Sequence, residues 1–177
     1  MGKNGGKICI IYNDEEYMLK FPTPKDGTLE HIYSNSCISE HIACQIIKTL
    51  GLKVQDTILG KYNTPSGEKI VVACKDFTSY GKVFKQFAEL KNSQIETSKN
   101  GYGTEIQEVL ETIEGQQVYD VKEFFWNMFI ADSLVGNFDR HNENWGFLID
   151  EKSQTIEIAP LVDIEKILKY SESLYMR

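Results

Sequence analysis

Gly136-Asn137-Phe138-Asp139-Arg140-His141-Asn142-Glu143-Asn144-Trp145-Gly146-Phe147 is the stretch that decides how this chain is read. It follows a hydrophobic helix and precedes an apolar strand, yet it is too polar for a core and too specific for a plain turn. Asp139 can accept the proton of a substrate hydroxyl, or simply orient that hydroxyl, when it lies within hydrogen-bond reach. Asn144 offers a neutral oxygen to Mg²⁺, a hard cation that prefers oxygen ligands. The competing reading is an Asx-rich loop between helix and strand, with no chemistry. His141 has no partner at metal-ligand spacing, so it reads as a residue that holds the loop rather than as a zinc ligand.

The rest of the chain sets the frame for that stretch. Its 177 residues suffice for one domain with a substantial core, or for two small lobes sharing a cleft. The formal net charge of −7 repels phosphate backbones, and no basic run relieves it, so nucleic-acid binding is not expected. A small phosphate site remains compatible, because a few lysines, backbone amides and Mg²⁺ outweigh a distant negative surface. Cys9, Cys37, Cys44 and Cys74 form no C-x-x-C pair and read as buried reduced thiols. The segment Met1 to Gly6 lacks the apolar core of a signal peptide, and no apolar run reaches the length of a membrane span. The expectation is a cytoplasmic protein, or an effector secreted without a signal peptide, with no membrane partner.

Working back from the central stretch, Asp120 and Glu123 suggest a capping box opening a helix that runs to about Val135 and is apolar nearly all round. Working forward, Trp145 to Ile149 and Ile156 to Ala159 read as a strand pair around a polar turn. Near the N-terminus, Lys7 to Asn13 and Tyr17 to Phe21 read as a hairpin. A helix is expected from about Cys37 to Leu50, with Ser36 as cap and Gly51 as terminator. Its apolar stripe is Ile38, Ile42, Ile46 and Leu50, widened by Ala43 and Ile47. Leu52 to Tyr62 reads as extended, Ile70 to Cys74 as a buried strand, and Glu96 to Gly103 as a loop or mobile insert.

Several positions carry chemistry. Strand alternation puts Met18 and Lys20 on the face opposite Tyr17, Leu19 and Phe21. Lys20 is then either solvated or a phosphate ligand. Glu40 borders the packed side of its helix, as an ion-pair partner or a residue favoured by the helix dipole. Taken together the two gain meaning, since a strand lysine held by a helix glutamate positions nucleotide α/β-phosphates in kinases. Gly5 and Gly6 precede the first strand and either let backbone amides approach phosphate or are simply flexible. Asp163 follows the second strand of the pair. It can return beside the Asp139 loop as a second oxygen ligand for Mg²⁺, or cap a helix over Ile164 to Tyr170.

Across most of its length the sequence resembles the HipA-like kinases, and within them the small CtkA-type Ser/Thr kinases. The motifs are Tyr17-Met18-Leu19-Lys20-Phe21-Pro22, Ser39-Glu40-His41-Ile42-Ala43-Cys44, Leu50-Gly51-Leu52-Lys53-Val54-Gln55, Val71-Val72-Ala73-Cys74-Lys75-Asp76-Phe77, the Gly136 to Phe147 stretch, and Ile158-Ala159-Pro160 before Asp163. The resemblance implies a protein-kinase-like bilobal α+β fold and Mg-ATP-dependent phosphorylation of Ser/Thr hydroxyls on a protein substrate. It assigns Lys20 to ATP phosphates, Glu40 as its partner, the Val72 to Phe77 hinge with Cys74 and Asp76 to adenine, Asp139 to catalysis, and Asn144 and Asp163 to Mg²⁺. Family members often act as toxins of toxin–antitoxin systems or as effectors, which implies an antitoxin as partner.

The expected organisation is a single domain over 1–177. Residues 1–77 form a small antiparallel-sheet N-lobe and hinge. Residues 78–177 form a truncated, mostly helical C-lobe carrying the catalytic loop, with Ile164 to Arg177 as one amphipathic helix. The alternative is a catalytically inactive kinase-like module that binds nucleotide or a partner protein and needs a C-terminal region supplied by a completing partner.

Overall fold

The structure, a computed structural model, describes residues 7–22, 36–65, 67–78, 81–94, 105–115, 118, 120–138 and 140–163. Strands β1 (Lys7–Tyr12) and β2 (Glu15–Lys20) form the expected hairpin. Its two turn residues, Asn13 and Asp14, have φ of 52° and 61°, the left-handed pair that a tight two-residue turn demands. β3 (Thr57–Thr64) and β4 (Gly67–Lys75) complete an antiparallel sheet of order β1-β2-β4-β3. Alternation sorts its faces as expected: Tyr17 and Leu19 pack with Val71 and Ala73 on one side. Lys20 points the other way, towards α1 (Ser36–Thr49). β1 is an edge strand, and Cys9 on it is exposed, which corrects the expectation of four buried thiols; Cys37, Cys44 and Cys74 are buried.

Helix α1 stops at Gly51, whose φ of 82° only glycine adopts freely, as the sequence suggests. Its buried face is a different one from the isoleucine stripe. Cys37, Ser39, Glu40, Ala43, Cys44 and Ile47 are buried, while Ile42 and Leu50 are 41% and 49% exposed. The helix is turned so that the face with the smaller side chains meets the sheet and the one carboxylate on that face reaches Lys20.

The second half holds β5 (Lys82–Gln86), α2 (Phe87–Gln94), α3 (Ile106–Glu114), α4 (Val121–Val135), β6 (Gly146–Asp150) and β7 (Thr155–Ile158). β5, β6 and β7 form an antiparallel sheet in that order. The β6–β7 hairpin was expected; β5, α2 and α3 were not. The main core joins α1 (Ala43, Cys44, Ile47) to α4 (Val121, Phe124, Met128, Ala131, Val135) through Phe87, Trp145, Phe147 and Leu161. Trp145 stacks on Phe87 with ring centroids 4.0 Å apart.

Two expectations for α4 need correction. Asp120 does not form a capping box: its φ is 62° and its side chain makes no cap bond, while its carbonyl accepts the Phe124 N–H at 2.9 Å. Nor is α4 central on all sides. Phe129, Ile130 and Leu134 are 53%, 63% and 65% exposed, because no described element covers that face. No helix among the described residues is long and apolar enough to cross a membrane. The Glu96 to Gly103 segment and the Ile164 to Arg177 helix expected from the sequence lie outside the described residues.

Gly146 shows how closely β5 and β6 approach each other. A Cβ there would lie 2.1 Å from the Lys85 carbonyl oxygen on β5, a backbone atom that cannot swing aside. Gly146→Ala should therefore cost about 2 kcal/mol or more as overpacking and lower the melting temperature by several degrees. An unchanged thermal melt would contradict this packing.

Candidate functional site

Lys20 closes β2 and lies beneath α1, where its ammonium is 2.6 Å from Glu40 Oε1 and 2.6 Å from Asp163 Oδ1. Lys20 and Glu40 side chains are 7% and 3% exposed and Asp163 is 41% exposed. Burial alone would drive the lysine towards neutrality. The Glu40 and Asp163 carboxylates more than offset it and hold the Lys20 pKa above its ordinary value. For Asp163, burial works against ionisation, but the Lys20 charge and hydrogen bond win and hold its pKa below the ordinary 3.8. The Cys74 thiol donates to Glu40 Oε1 at 3.6 Å, and the Cys37 thiol donates to the Lys20 carbonyl at 3.5 Å. Burial, reinforced by Glu40, pushes the Cys44 thiol up to about 12 and Cys74 higher as well, so both stay protonated beside the carboxylate.

These shifts fix a pH dependence. Asp163 has a depressed folded value, so its contribution is present above the ordinary carboxylate range and lost as pH falls through the folded value. Lys20 has a raised value, so its contribution holds below 10.5 and is lost only as pH rises beyond it. The stability difference between the native chain and Asp163→Asn should be flat from weakly acidic to weakly alkaline pH and vanish below the carboxylate range. A difference that grows towards acid pH would contradict the pair. Because Asp163 is two-fifths exposed, the difference should be small.

The segment bearing Asp163 is held by the first half of the chain. Leu161 forms a parallel bridge with Val54, and backbone bonds run from Gln55 N to Leu161 O (3.0 Å) and from Leu161 N to Lys53 O (2.9 Å). It is also held by the β6–β7 hairpin, since Ala159 N donates to Gly146 O at 2.9 Å. That hairpin lays residues 159–163 beside the loop that precedes β6.

The loop is pinned from three sides. Its Asn142 and Trp145 carbonyls accept the Ala88 and Phe87 N–H groups at 2.9 Å each, so it caps the otherwise unpaired N-terminus of α2. Gly136, with φ of 72°, ends α4, and Asn137 N and Nδ2 donate to the Asp132 carbonyl and Oδ1 at 2.8 Å each. Arg140 supplies the third anchor. Its Nε and Nη2 grip Asp132 Oδ2 and Oδ1 at 2.8 Å, and its Nη1 donates to the Asn144 carbonyl (3.1 Å) and the Val162 carbonyl (2.9 Å). Neither Arg140 nor Asp132 is among the residues expected from the sequence to carry chemistry. The usable signal is Asp132 itself, a carboxylate between the apolar Phe129-Ile130-Ala131 and Leu134-Val135, which when buried demands a partner.

A cleft of about 350 Å³ opens between the two halves, with Lys20 and Asp163 among its walls together with Cys9, Met18, Cys74 and Phe77. Asp76 lies at its edge. Its carboxylate accepts from Thr78 N and Oγ1 at 2.7 and 2.6 Å, and its N–H donates to the Glu16 carbonyl at 2.8 Å. Thus Lys20, Glu40, Cys74 and Asp163 come together in one place, Asp76 lies at its rim, and Asn144 sits on the loop tied to the Asp163 segment. Asp139, Gly5 and Gly6 lie outside the described residues.

Asn144 and Asp163 are hard oxygen donors of the kind Mg²⁺ takes. One or two side chains suffice when substrate phosphates and water fill the rest of the shell. Among the described residues no group of three or more His, Cys, Asp and Glu side chains is placed to hold a metal alone. The Lys20, Glu40 and Asp163 triad also carries one excess negative charge, which a divalent cation would offset. The residues present therefore fit the ion.

Comparison with known proteins follows the same line. Residues 6–177 match the family model of the HipA-like C-terminal domain. The chain is 49% identical over 165 residues to a serine/threonine-protein kinase, CtkA, of Helicobacter pylori strain J99, covering 92% of this chain and 50% of that protein. Its fold matches the crystal structure of a Helicobacter pylori proinflammatory kinase, CtkA, with a TM-score of 0.79 at 46% identity, over 94% of this chain and 56% of that one. The chain thus spans about half the length of these relatives, and its α+β fold is kinase-like.

Proposed function

The chain belongs to the HipA-like C-terminal domain family, and from that premise we propose that it is a CtkA-type kinase module that transfers the γ-phosphoryl group of Mg-ATP to a Ser/Thr hydroxyl of a protein. The observation that carries this reading is the buried Lys20–Glu40 pair at the wall of an open cleft, with Asp163 as its second partner. An ammonium that deep is worth its desolvation only where anions meet it. Glu40 fixes its direction, and Asp163 is the partner that gives way when nucleotide phosphates arrive.

The work of such a site is positioning and charge neutralisation rather than covalent chemistry. Lys20 would bind the phosphates and be held by Glu40. Asn144 and Asp163 would hold Mg²⁺, which supplies neutralisation of the charge on the phosphate oxygens. Asp139 would take the hydroxyl proton as the acceptor oxygen bonds to phosphorus and the bond from phosphorus to the ADP oxygen breaks. Cys74 and Asp76, on the strand and hinge beside the cleft, would face the base, and Gly5 and Gly6 would approach the phosphates.

One observation favours a second reading. Among the described residues, Phe129, Ile130 and Leu134 of α4 are more than half exposed. In that reading the module binds nucleotide but transfers phosphate only when a further polypeptide covers α4. Thermal melts with Mg-ATP, run beside a transfer assay, separate the two. Stabilisation with transfer supports the kinase, stabilisation without transfer supports the partner-dependent module, and no stabilisation sinks both.

A further inference from the structure

We infer that Arg140 is a positioning residue that fixes the spacing between the two metal-side segments of the cleft, one carrying Asn144 and the other Asp163. The inference rests on the proposed Mg-nucleotide site and deepens it. A guanidinium is a rigid planar fork, and here each branch has a separate duty. Nε and Nη2 lie side-on against the Asp132 carboxylate at 2.8 Å each, which fixes the plane of the group relative to α4. Nη1 has two hydrogens and spends them on two carbonyls, those of Asn144 and Val162. The two carbonyls belong to segments that lie before and after the β6–β7 hairpin, and each is on or next to a proposed metal ligand.

The Val162 carbonyl fixes the peptide plane that enters Asp163. Asp163 then adopts φ of 52°, a left-handed conformation that an aspartate tolerates, and its carboxylate turns back to Lys20. With the preceding plane held by Arg140, the direction of the Asp163 side chain is set from α4 through one guanidinium. The pair is largely shielded, with Asp132 buried and Arg140 partly so (side chains 7% and 11% exposed), which limits how far water can stand in for either partner. A lysine could satisfy one carbonyl, but it has no plane with which to hold two carbonyls and a carboxylate in register.

The test uses the full chain with Arg140→Lys, and with Asp132→Asn as the second variant should the first fail to fold. ATP affinity is measured with Mg²⁺ and with a chelator, and amide hydrogen exchange is followed over 142–147 and 159–163. The brace predicts that metal-free affinity is retained while the gain in affinity on adding Mg²⁺ falls about tenfold or more, the scale of a lost metal-supporting contact. It also predicts that both segments lose protection together. A folded variant with the full Mg²⁺ gain, or with exchange raised in one segment only, overturns it. Failure of the unaltered chain to bind Mg-ATP is a different result, which overturns the proposed function itself and the brace with it.

Discussion

Lys20→Met is expected to abolish nucleotide binding and to weaken the fold in the same stroke. The methionine fills much of the lysine's volume but takes away the ammonium that lies 2.6 Å from Glu40, whose side chain is 3% exposed. Removing one partner of a buried pair costs about 3–5 kcal/mol, because the other charge stays buried and uncompensated. For a chain of this size that is a fall of roughly 10 °C in melting temperature. Transfer of phosphate should drop by ~10²–10³-fold or more, as expected when a charge stabiliser is deleted. Adding Glu40→Leu to the same chain tells stability from function, since an apolar pair of similar size can replace a buried ion pair at little cost. The double variant should regain most of the lost melting temperature and none of the binding. Binding restored in the double variant would mean that Lys20 serves the fold alone.

Asp163→Asn should behave in the opposite way. Asp163 is partly exposed and Lys20 keeps Glu40, so stability at neutral pH should change by less than about 1 kcal/mol. The amide is a poorer metal ligand, and transfer in Mg²⁺ should fall ~10²–10³-fold. Metal-free ATP binding should be no weaker and is expected to tighten, because the carboxylate that competes with phosphate for Lys20 has lost its charge. Calorimetry with ATP in chelator and in Mg²⁺ reads both effects. If metal-free binding instead collapses with the carboxylate, Asp163 is not a partner that gives way.

How much of this was open to the sequence differs from residue to residue. The Lys20 face is legible from strand alternation, Glu40 reads from the sequence as bordering the packed side of α1 rather than lying within it, and Asp163 follows a hairpin whose return length is readable. The face of α1 does not follow, because four large aliphatics outweigh a mixed face that includes Glu40, a carboxylate that pairs with the buried Lys20. Asp132 was hidden by its apolar neighbours, and Arg140 by the aspartate beside it. β5 (Lys82–Gln86) is too short and too lysine-rich to announce a strand, and it becomes one through pairing with β6, far away in sequence. α3 is legible in principle, since Ile106, Val109, Leu110 and Ile113 have the spacing of an amphipathic helix. Gly146 could not be read at all, as its need for a missing Cβ depends on how closely β5 approaches.

The central claim is phosphoryl transfer from ATP at the cleft that Lys20 and Asp163 line, with Glu40 paired to Lys20. Its most direct measurement is incorporation of γ-labelled phosphate, in Mg²⁺, by the purified chain and by Asp139→Asn, into the chain itself and into a Ser/Thr-rich protein acceptor. The account predicts acid-stable label on serine or threonine with the native chain and background label with the variant. Label incorporated by Asp139→Asn at the native rate would contradict it.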